Sequence, residues 1–158
     1  MTNISRHSQS PIEAALYYIQ LRTHNGDSLF ELEVPCEPKT PSNRPLAGVV
    51  ADELCQVGTS YKGVTLDQWA LELDSLHVLV LLQTEQPEQP TGKGKPALLT
   101  AFVAGLKAAT AKRINLIRNE PGSPVWQRSY QEQRIEDDTM LFRLRKKLSD
   151  SAGPLRSS

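Results

Sequence analysis

One histidine and several oxygen-bearing side chains stand at the start of an apolar run, in the stretch LELDSLHVLVLL (residues 71–82). Imidazole acts as a metal ligand or a general base, and carboxylates and hydroxyls are its usual partners, so this stretch is the first candidate for chemistry. Strand side chains two residues apart share a face, which places Ser75 beside His77. By the same alternation, Glu72 and Asp74 are expected on the opposite face unless a bulge turns one of them round.

The size and composition of the chain are those of one ordinary folded domain, with 158 residues, 39% hydrophobic and 23% charged. Cys36 and Cys55 lie far apart without a CxxC pair, so neither a disulfide framework nor a structural zinc site is indicated. No stretch resembles a signal peptide or reaches the roughly 18 apolar residues that span a bilayer. We therefore expect a cytoplasmic protein without a membrane partner.

Charge is distributed unevenly although the net charge is zero. Residues 1–97 contain 7 Lys and Arg against 12 Asp and Glu, a net charge of −5. Residues 98–158 contain 11 against 6, a net charge of +5. The basic half is suited to an anionic partner, but the same residues also suit the solvated faces of two helices, and composition leaves both interpretations open.

Hydrophobic periodicity predicts the order β-α-β-β-α-β with a further helix at the end. This order is that of an α+β fold, a ferredoxin-like antiparallel sheet with helices on one face, and the first two helices should pack on the same face. The predicted elements are strand 16–23 ending at an Asn-Gly turn, helix 46–57, strands 64–73 and 76–83, helix 98–118, an extended segment 125–135, and helix 139–148 capped by Asp137 or Asp138.

The sequence also predicts where ordered structure stops. Residues 1–14 are expected to be a flexible N-terminus, and residues 15–150 a single domain. Within it, residues 83–97 are poor in apolar side chains and rich in Pro, Gln and Gly, which predicts a mobile internal loop. The tail, residues 151–158, is expected to be disordered.

Several motifs in this order resemble a known family over roughly residues 15–150. They are ALYYIQLRTHN, VTLDQW before an apolar strand with a histidine, KAATAKRIN, and PGSPVWQRSYQ before an acid-capped helix. Together they resemble the REP-associated tyrosine transposases, single-tyrosine members of the HUH endonuclease superfamily, and PVWQRSY is the most specific piece. The resemblance implies a ferredoxin-like nuclease that recognises hairpin-forming single-stranded DNA, binds a divalent metal and forms a phosphotyrosine bond.

The chain departs from this family at the positions that carry its chemistry. The family holds its metal with two histidines on the central strand, and Ser75 replaces the first while His77 matches the second. The nucleophilic tyrosine belongs on the last helix, where Lys147 stands, and that helix contains no tyrosine. The resemblance therefore implies that no catalytic residue set is intact and that no metal or other cofactor is bound, with His77 at most a remnant ligand.

Other residues have two interpretations each. Lys147 is suited to holding a phosphate. We expect Trp126 to be a core anchor rather than a base-stacking platform, His24 to close a turn, and Tyr130 to pack rather than to replace the missing nucleophile. The residues predicted to contact DNA phosphates, with plain solvation as the alternative, are Lys107, Lys112, Arg113, Arg118, Arg128 and Lys146.

The sequence is thus interpreted as a degenerate transposase-like protein, related to DNA transposition, that binds single-stranded or hairpin DNA and is catalytically inactive. Two alternatives stay open: an active transposase that cleaves DNA with Mg²⁺ or Mn²⁺ at a displaced site, and a module that binds no DNA and associates with itself or a partner. The DNA sequence recognised and the formation of a homodimer are not decided by the sequence.

Overall fold

The computed structural model describes residues 13–30, 46–84, 96–151 and 153–157. They form a five-stranded antiparallel sheet with α helices on both faces. The elements are β1 (Glu13–Arg22), α1 (Leu46–Ser60), β2 (Val64–Leu71), β3 (Ser75–Thr84), α2 (Ala97–Ile117), β4 (Gln131–Arg134), α3 (Asp138–Ser149) and β5 (Leu155–Arg156).

The strands lie in the order β4-β1-β3-β2-β5, and the first four give the ferredoxin-like order. The predicted α+β class and its antiparallel sheet are confirmed. β3 is the central strand and pairs with β1 over ten residues, from Glu13 opposite Thr84 to Arg22 opposite Ser75. Because both faces of a central strand are covered, its sequence is almost continuously apolar.

One face of the sheet packs against α1 and α2 and forms the main core, as predicted for these two helices. Alternation along the strands selects its members, so that every second residue of β1 and β3 points to this side. Their large apolar side chains are almost completely removed from water. The core includes Ile19, Leu21, Val50, Leu54, Leu76, Val78, Val80, Leu99, Phe102, Leu106 and Ile114.

The opposite face is covered by α3, and the apolar layer there is thin. Its fully buried members are Ala70, Leu79 and Leu148. A register shift between Leu66 and Gln68 leaves Asp67 without a partner on β3, and Arg145 of α3 donates two hydrogen bonds of 2.9 Å to its carboxylate. A bulge on β2 therefore anchors the helix by an ion pair.

The predicted start of the last helix agrees with the structure, whereas the predicted tail differs from it. Asp137 caps α3 by accepting a 2.7 Å hydrogen bond from the Met140 amide, as one of the two predicted caps. The tail was predicted to be disordered, but Leu155–Arg156 pairs with β2 as an edge strand. The predicted flexible N-terminus up to residue 12, and residues 85–95 of the predicted loop, lie outside the described residues.

Two local features complete the description of the fold. Asn25 and Gly26 have φ angles of 59° and 69°, the left-handed conformation that an Asn-Gly turn requires, which confirms the turn after β1. Among the described residues, none of the helices combines the length and the apolarity that a membrane crossing requires.

Candidate functional site

The predicted Ser75 and His77 lie at the start of β3, on the face that α3 covers. Ser75 Oγ is 3.0 Å from His77 Nε2, so the two side chains share one face as their spacing predicts. Both are buried, at 2% and 5% exposure. A polar pair at this depth requires partners, because an unsatisfied buried polar group costs about 1–3 kcal/mol.

Glu72 supplies one partner, and the expectation that it lies on the opposite face is wrong. Its Oε1 is 2.8 Å from His77 Nε2 and 3.3 Å from Ser75 Oγ. β2 ends at Leu71, so Glu72 belongs to the turn between the strands, where the alternation of side chains no longer applies. The Glu72 amide donates to the Ser75 carbonyl at 2.8 Å, and this turn bends the carboxylate back over the strand.

Tyr18 supplies the other partner and is not among the residues predicted from the sequence. Its hydroxyl is 2.6 Å from His77 Nδ1, and the two rings are nearly parallel, with an angle of 15° and 5.9 Å between centroids. Alternation along β1 assigns Tyr18 to the face opposite Ile19. Alternation alone does not give the register between β1 and β3. This register places Gln20 opposite His77 and therefore Tyr18 beside it.

The environment of His77 favours its neutral form. Burial lowers the pKa of His77 below its ordinary value, and the positive charges of Lys147 and Arg22 act in the same direction. The hydrogen bond and the charge of Glu72 oppose this shift without reversing it. The imidazole is therefore uncharged near neutral pH, with one protonated nitrogen and one that accepts.

Lys147 lies at the mouth of this site. It is exposed, and its Nζ is 5.7 Å from the centroid of the Tyr18 ring. Its charge also reaches His77, whose pKa it lowers. The last helix thus brings Lys147 toward the sheet face that holds Ser75 and His77.

The residues at this position do not fit a divalent metal. Both ring nitrogens of His77 have protein partners, and Nε2 faces a carboxylate oxygen, which requires a proton on that nitrogen. The Ser75 hydroxyl is a weaker metal ligand than an imidazole. Within the described ranges, no group of three or more His, Cys, Asp and Glu side chains is placed to hold an ion.

Three of the predicted phosphate contacts are engaged within the protein. Lys107 Nζ donates to the carbonyls of Gln127 and Arg128 at 2.7 and 2.9 Å, and so fixes the WQR segment to α2. Arg113 binds the Glu53 carboxylate at 2.8 Å and joins α2 to α1. Arg118 makes a third set of internal contacts, donating to the Asn115 side chain at 2.9 Å and to the Pro124 carbonyl at 3.2 Å.

The side chains of the other three, Lys112, Arg128 and Lys146, are exposed and have no hydrogen-bond or ion-pair partner among the described residues. They do not form one surface, because Lys112 lies on α2 and Lys146 on α3, and these helices cover opposite faces of the sheet. The fold gathers Lys147 and Arg22 at the His77 site, and Arg22 was not predicted as a contact.

The remaining singled-out residues have structural surroundings. Trp126 is buried and donates from Nε1 to Thr110 Oγ1 at 2.8 Å, as a core anchor. Tyr130 packs against the main core, and burial raises the pKa of its phenol above the ordinary value, which disfavours a nucleophilic role. His24 begins a short 3-10 turn, and its amide donates to the Val125 carbonyl at 2.8 Å.

Two solved structures are similar to this chain. A REP-associated tyrosine transposase bound to a REP hairpin aligns with a TM-score of 0.53 and 8% identity, over 82% of this chain and 61% of that chain. A transposase candidate from Deinococcus radiodurans R1 aligns with a TM-score of 0.54 and 18% identity, over 89% of this chain and 93% of that chain. No family model and no curated protein matches the sequence.

These likenesses establish a shared fold. This chain has the ferredoxin-like architecture of transposases, at identities where residue roles do not transfer by alignment alone. It spans less than two thirds of the length of the hairpin-bound transposase.

Proposed function

We propose that this protein is a transposase-like protein that binds single-stranded or hairpin DNA and has lost metal-dependent cleavage by a helix-borne tyrosine. The observation that carries the proposal is a fold shared with a transposase bound to a hairpin. It is joined to the expectation, from the sequence resemblance, that Ser75 and Lys147 stand at that family's catalytic positions. We place its action in the cytoplasm.

The proposed DNA surface is the side of the molecule formed by α3 and the end of β1. Lys146 and Lys147 are exposed on α3, and Arg22 is exposed at the end of β1. Positive side chains on an element that crosses a sheet face are suited to the phosphates of a nucleic acid strand. Lys112 and Arg128 lie outside this surface and, in this proposal, are plain solvated side chains, whereas the internal contacts of Lys107, Arg113 and Arg118 support a structural role.

The loss of cleavage is supported by the hydrogen-bond partners that both ring nitrogens of His77 already have within the protein. Its two nitrogens contact Glu72 and Tyr18, so a metal ion would have to displace a carboxylate and a proton. An exposed lysine is protonated near neutral pH and does not attack phosphorus. Lys147 therefore acts as a phosphate contact in this proposal.

Fluorescence anisotropy with a labelled hairpin oligonucleotide and a blunt duplex of the same composition tests the binding. We expect saturable binding to the hairpin that is stronger than to the duplex and that weakens steeply with salt. Absence of binding at low salt contradicts the proposal and favours the alternative of a module that only associates with itself or a partner. The same solutions analysed by sedimentation velocity report whether a homodimer forms.

A restoration experiment tests the lost chemistry. The double substitution Ser75→His with Lys147→Tyr returns the family's ligand and nucleophile, and we expect a covalent protein–DNA adduct with manganese on hairpin DNA. Ser75→His alone lacks the helix-borne tyrosine and serves as the matched control. A manganese-dependent adduct formed by the unchanged protein would overturn the proposal in favour of an active transposase with a displaced site.

A further inference from the structure

Three side chains form a continuous hydrogen-bonded chain at the start of β3. Glu72 Oε1 lies 2.8 Å from His77 Nε2, and His77 Nδ1 lies 2.6 Å from the Tyr18 hydroxyl. A carboxylate, an imidazole and a hydroxyl in this order are the elements of an activated nucleophile, in which the first orients the second and the second removes a proton from the third.

The direction of the hydrogen bonds follows from the chemistry of the partners. An ionised carboxylate only accepts, so the proton of the neutral imidazole is on Nε2. Nδ1 then carries the lone pair and the Tyr18 hydroxyl donates to it. Ser75 Oγ, 3.3 Å from Glu72 Oε1, donates to the same carboxylate oxygen and limits its rotation. Glu72 and Tyr18 thus impose the tautomer that a general base requires, with the proton on Nε2 and the lone pair on Nδ1.

Tyr18 is also placed where a substrate can reach it. It is partly exposed and lines a depression of about 350 Å³ together with Gln131, Glu132 and Gln133 of the edge strand β4. Lys147 Nζ lies 5.7 Å from the Tyr18 ring centroid. Glu132 contributes a negative charge to the lining of the depression. Lys147, near the Tyr18 ring, provides an attraction for an anionic group.

We propose that Tyr18 is a nucleophile, activated by His77 and Glu72, that forms a covalent bond with a DNA phosphodiester without a metal ion. The phenolic oxygen forms a bond to phosphorus while one bridging P–O bond breaks. The phenolic proton passes to His77 Nδ1, which forms the imidazolium. The departing oxygen takes a proton from a water molecule. The resulting hydroxide then takes the proton of the imidazolium, so that the imidazole is neutral again. The choice of DNA as substrate rests on the proposed function.

The proposed nucleophile lies on the first strand, whereas the family's tyrosine lies on the last helix. This difference makes the two routes separable by experiment. In the family's route the ion polarises the phosphate, and chelation abolishes the reaction. In the Tyr18 route the general base contributes on the order of 10²-fold to 10⁴-fold, and chelation has no effect.

The test uses the full chain and a hairpin oligonucleotide in which sulfur replaces one bridging oxygen of the single-stranded segment, with EDTA present. The thiolate leaves without a proton, so an adduct accumulates and is detected on a denaturing gel and located by peptide mass mapping. Two versions of the oligonucleotide carry the sulfur at one or the other bridging position of the phosphorus, so that breakage of either bridging bond is tested. We expect the adduct on Tyr18.

Three variants define the expected pattern. Tyr18→Phe removes the hydroxyl and keeps the ring beneath Lys147, and it should abolish the adduct while hairpin affinity stays within about twofold. Tyr130→Phe is the matched control and should form the adduct at the rate of the unchanged protein. Glu72→Gln keeps the nucleophile but weakens the orientation of His77, and it should slow the reaction about 10²-fold or more.

The outcomes separate this inference from the proposed function. Hairpin binding without an adduct, or an adduct that persists in Tyr18→Phe, overturns the nucleophile and leaves DNA binding intact. If the hairpin does not bind, the proposed function fails, and the small diester bis(p-nitrophenyl) phosphate then tests the nucleophile alone. One equivalent of released p-nitrophenolate with the matching mass gain on Tyr18 supports the inference, and the absence of both overturns it.

Discussion

The two faces of the sheet differ in how they are covered. On one face, α1 and α2 bury an extensive layer of large apolar side chains. On the other, α3 covers a small apolar cluster and a buried histidine with hydrogen-bonded partners. Stability is thus concentrated on the first face, and the second can hold polar side chains that chemistry requires.

This difference has a physical origin in α3 itself. The helix carries Arg143, Arg145, Lys146 and Lys147 and contributes one fully buried side chain, Leu148. Such a helix cannot be held by apolar burial alone. The ion pair of Arg145 with Asp67 and the cap at Asp137 add polar interactions to this burial.

The largest expected effect concerns the main core. Phe102 is fully buried between α2 and the sheet, and Phe102→Ala should lower the free energy of unfolding by about 3–5 kcal/mol through lost burial and a cavity. Leu148→Ala on the other face should cost about 2 kcal/mol, near the lower end for such substitutions, because its cluster is small and can collapse. Urea denaturation measures both, and equal losses would contradict the asymmetry of the two faces.

A second prediction concerns the charges of α3. Replacing Lys146 and Lys147 by Gln should weaken hairpin binding about tenfold, or 1.4 kcal/mol. If each contacts one phosphate, the log–log slope of affinity against salt should become shallower by about 0.7 per residue. Lys112→Gln on the other face is the control with equal chemistry. A larger effect of Lys112 than of the α3 pair would move the DNA surface to α2.

Lys107 provides a third, smaller contrast. Lys107→Met keeps most of the side chain but removes the hydrogen bonds to the Gln127 and Arg128 carbonyls, and stability should fall by about 1 kcal/mol. Hairpin affinity should change little. Denaturation and anisotropy on the same samples measure both quantities, and an unchanged stability with strongly reduced affinity would return Lys107 to the list of phosphate contacts.

The smallest expected effect is a pH dependence on the polar face. Since burial lowers the folded-state pKa of His77, the unfolded chain binds the proton more readily. The contribution of His77 to stability is therefore complete above about pH 6.5 and is lost as pH falls toward the folded-state pKa. His77→Gln should remove this part of the slope below about pH 6.5. An unchanged slope would show that other groups cause the dependence.

The fold was largely predictable because it depends on periodicity. Alternation in β1, the continuous apolar run of β3 and the helical spacing in α1 and α2 specify a two-sided sheet with a helical layer, and the structure confirms them. The tail was mispredicted because its short strand is stabilised by pairing with the edge of β2, and a two-residue strand has no periodicity of its own.

The sequence by itself determined that Ser75 and His77 share a face, and that the last helix carries lysine and arginine and contains no tyrosine. Only the tertiary structure decided what surrounds His77. Glu72 reaches it from a turn, where alternation fails, and Tyr18 reaches it from a strand 59 positions earlier, through a register that is set by packing of the whole sheet. Local spacing encodes direction within one element, whereas contacts between distant elements depend on how those elements pair and pack.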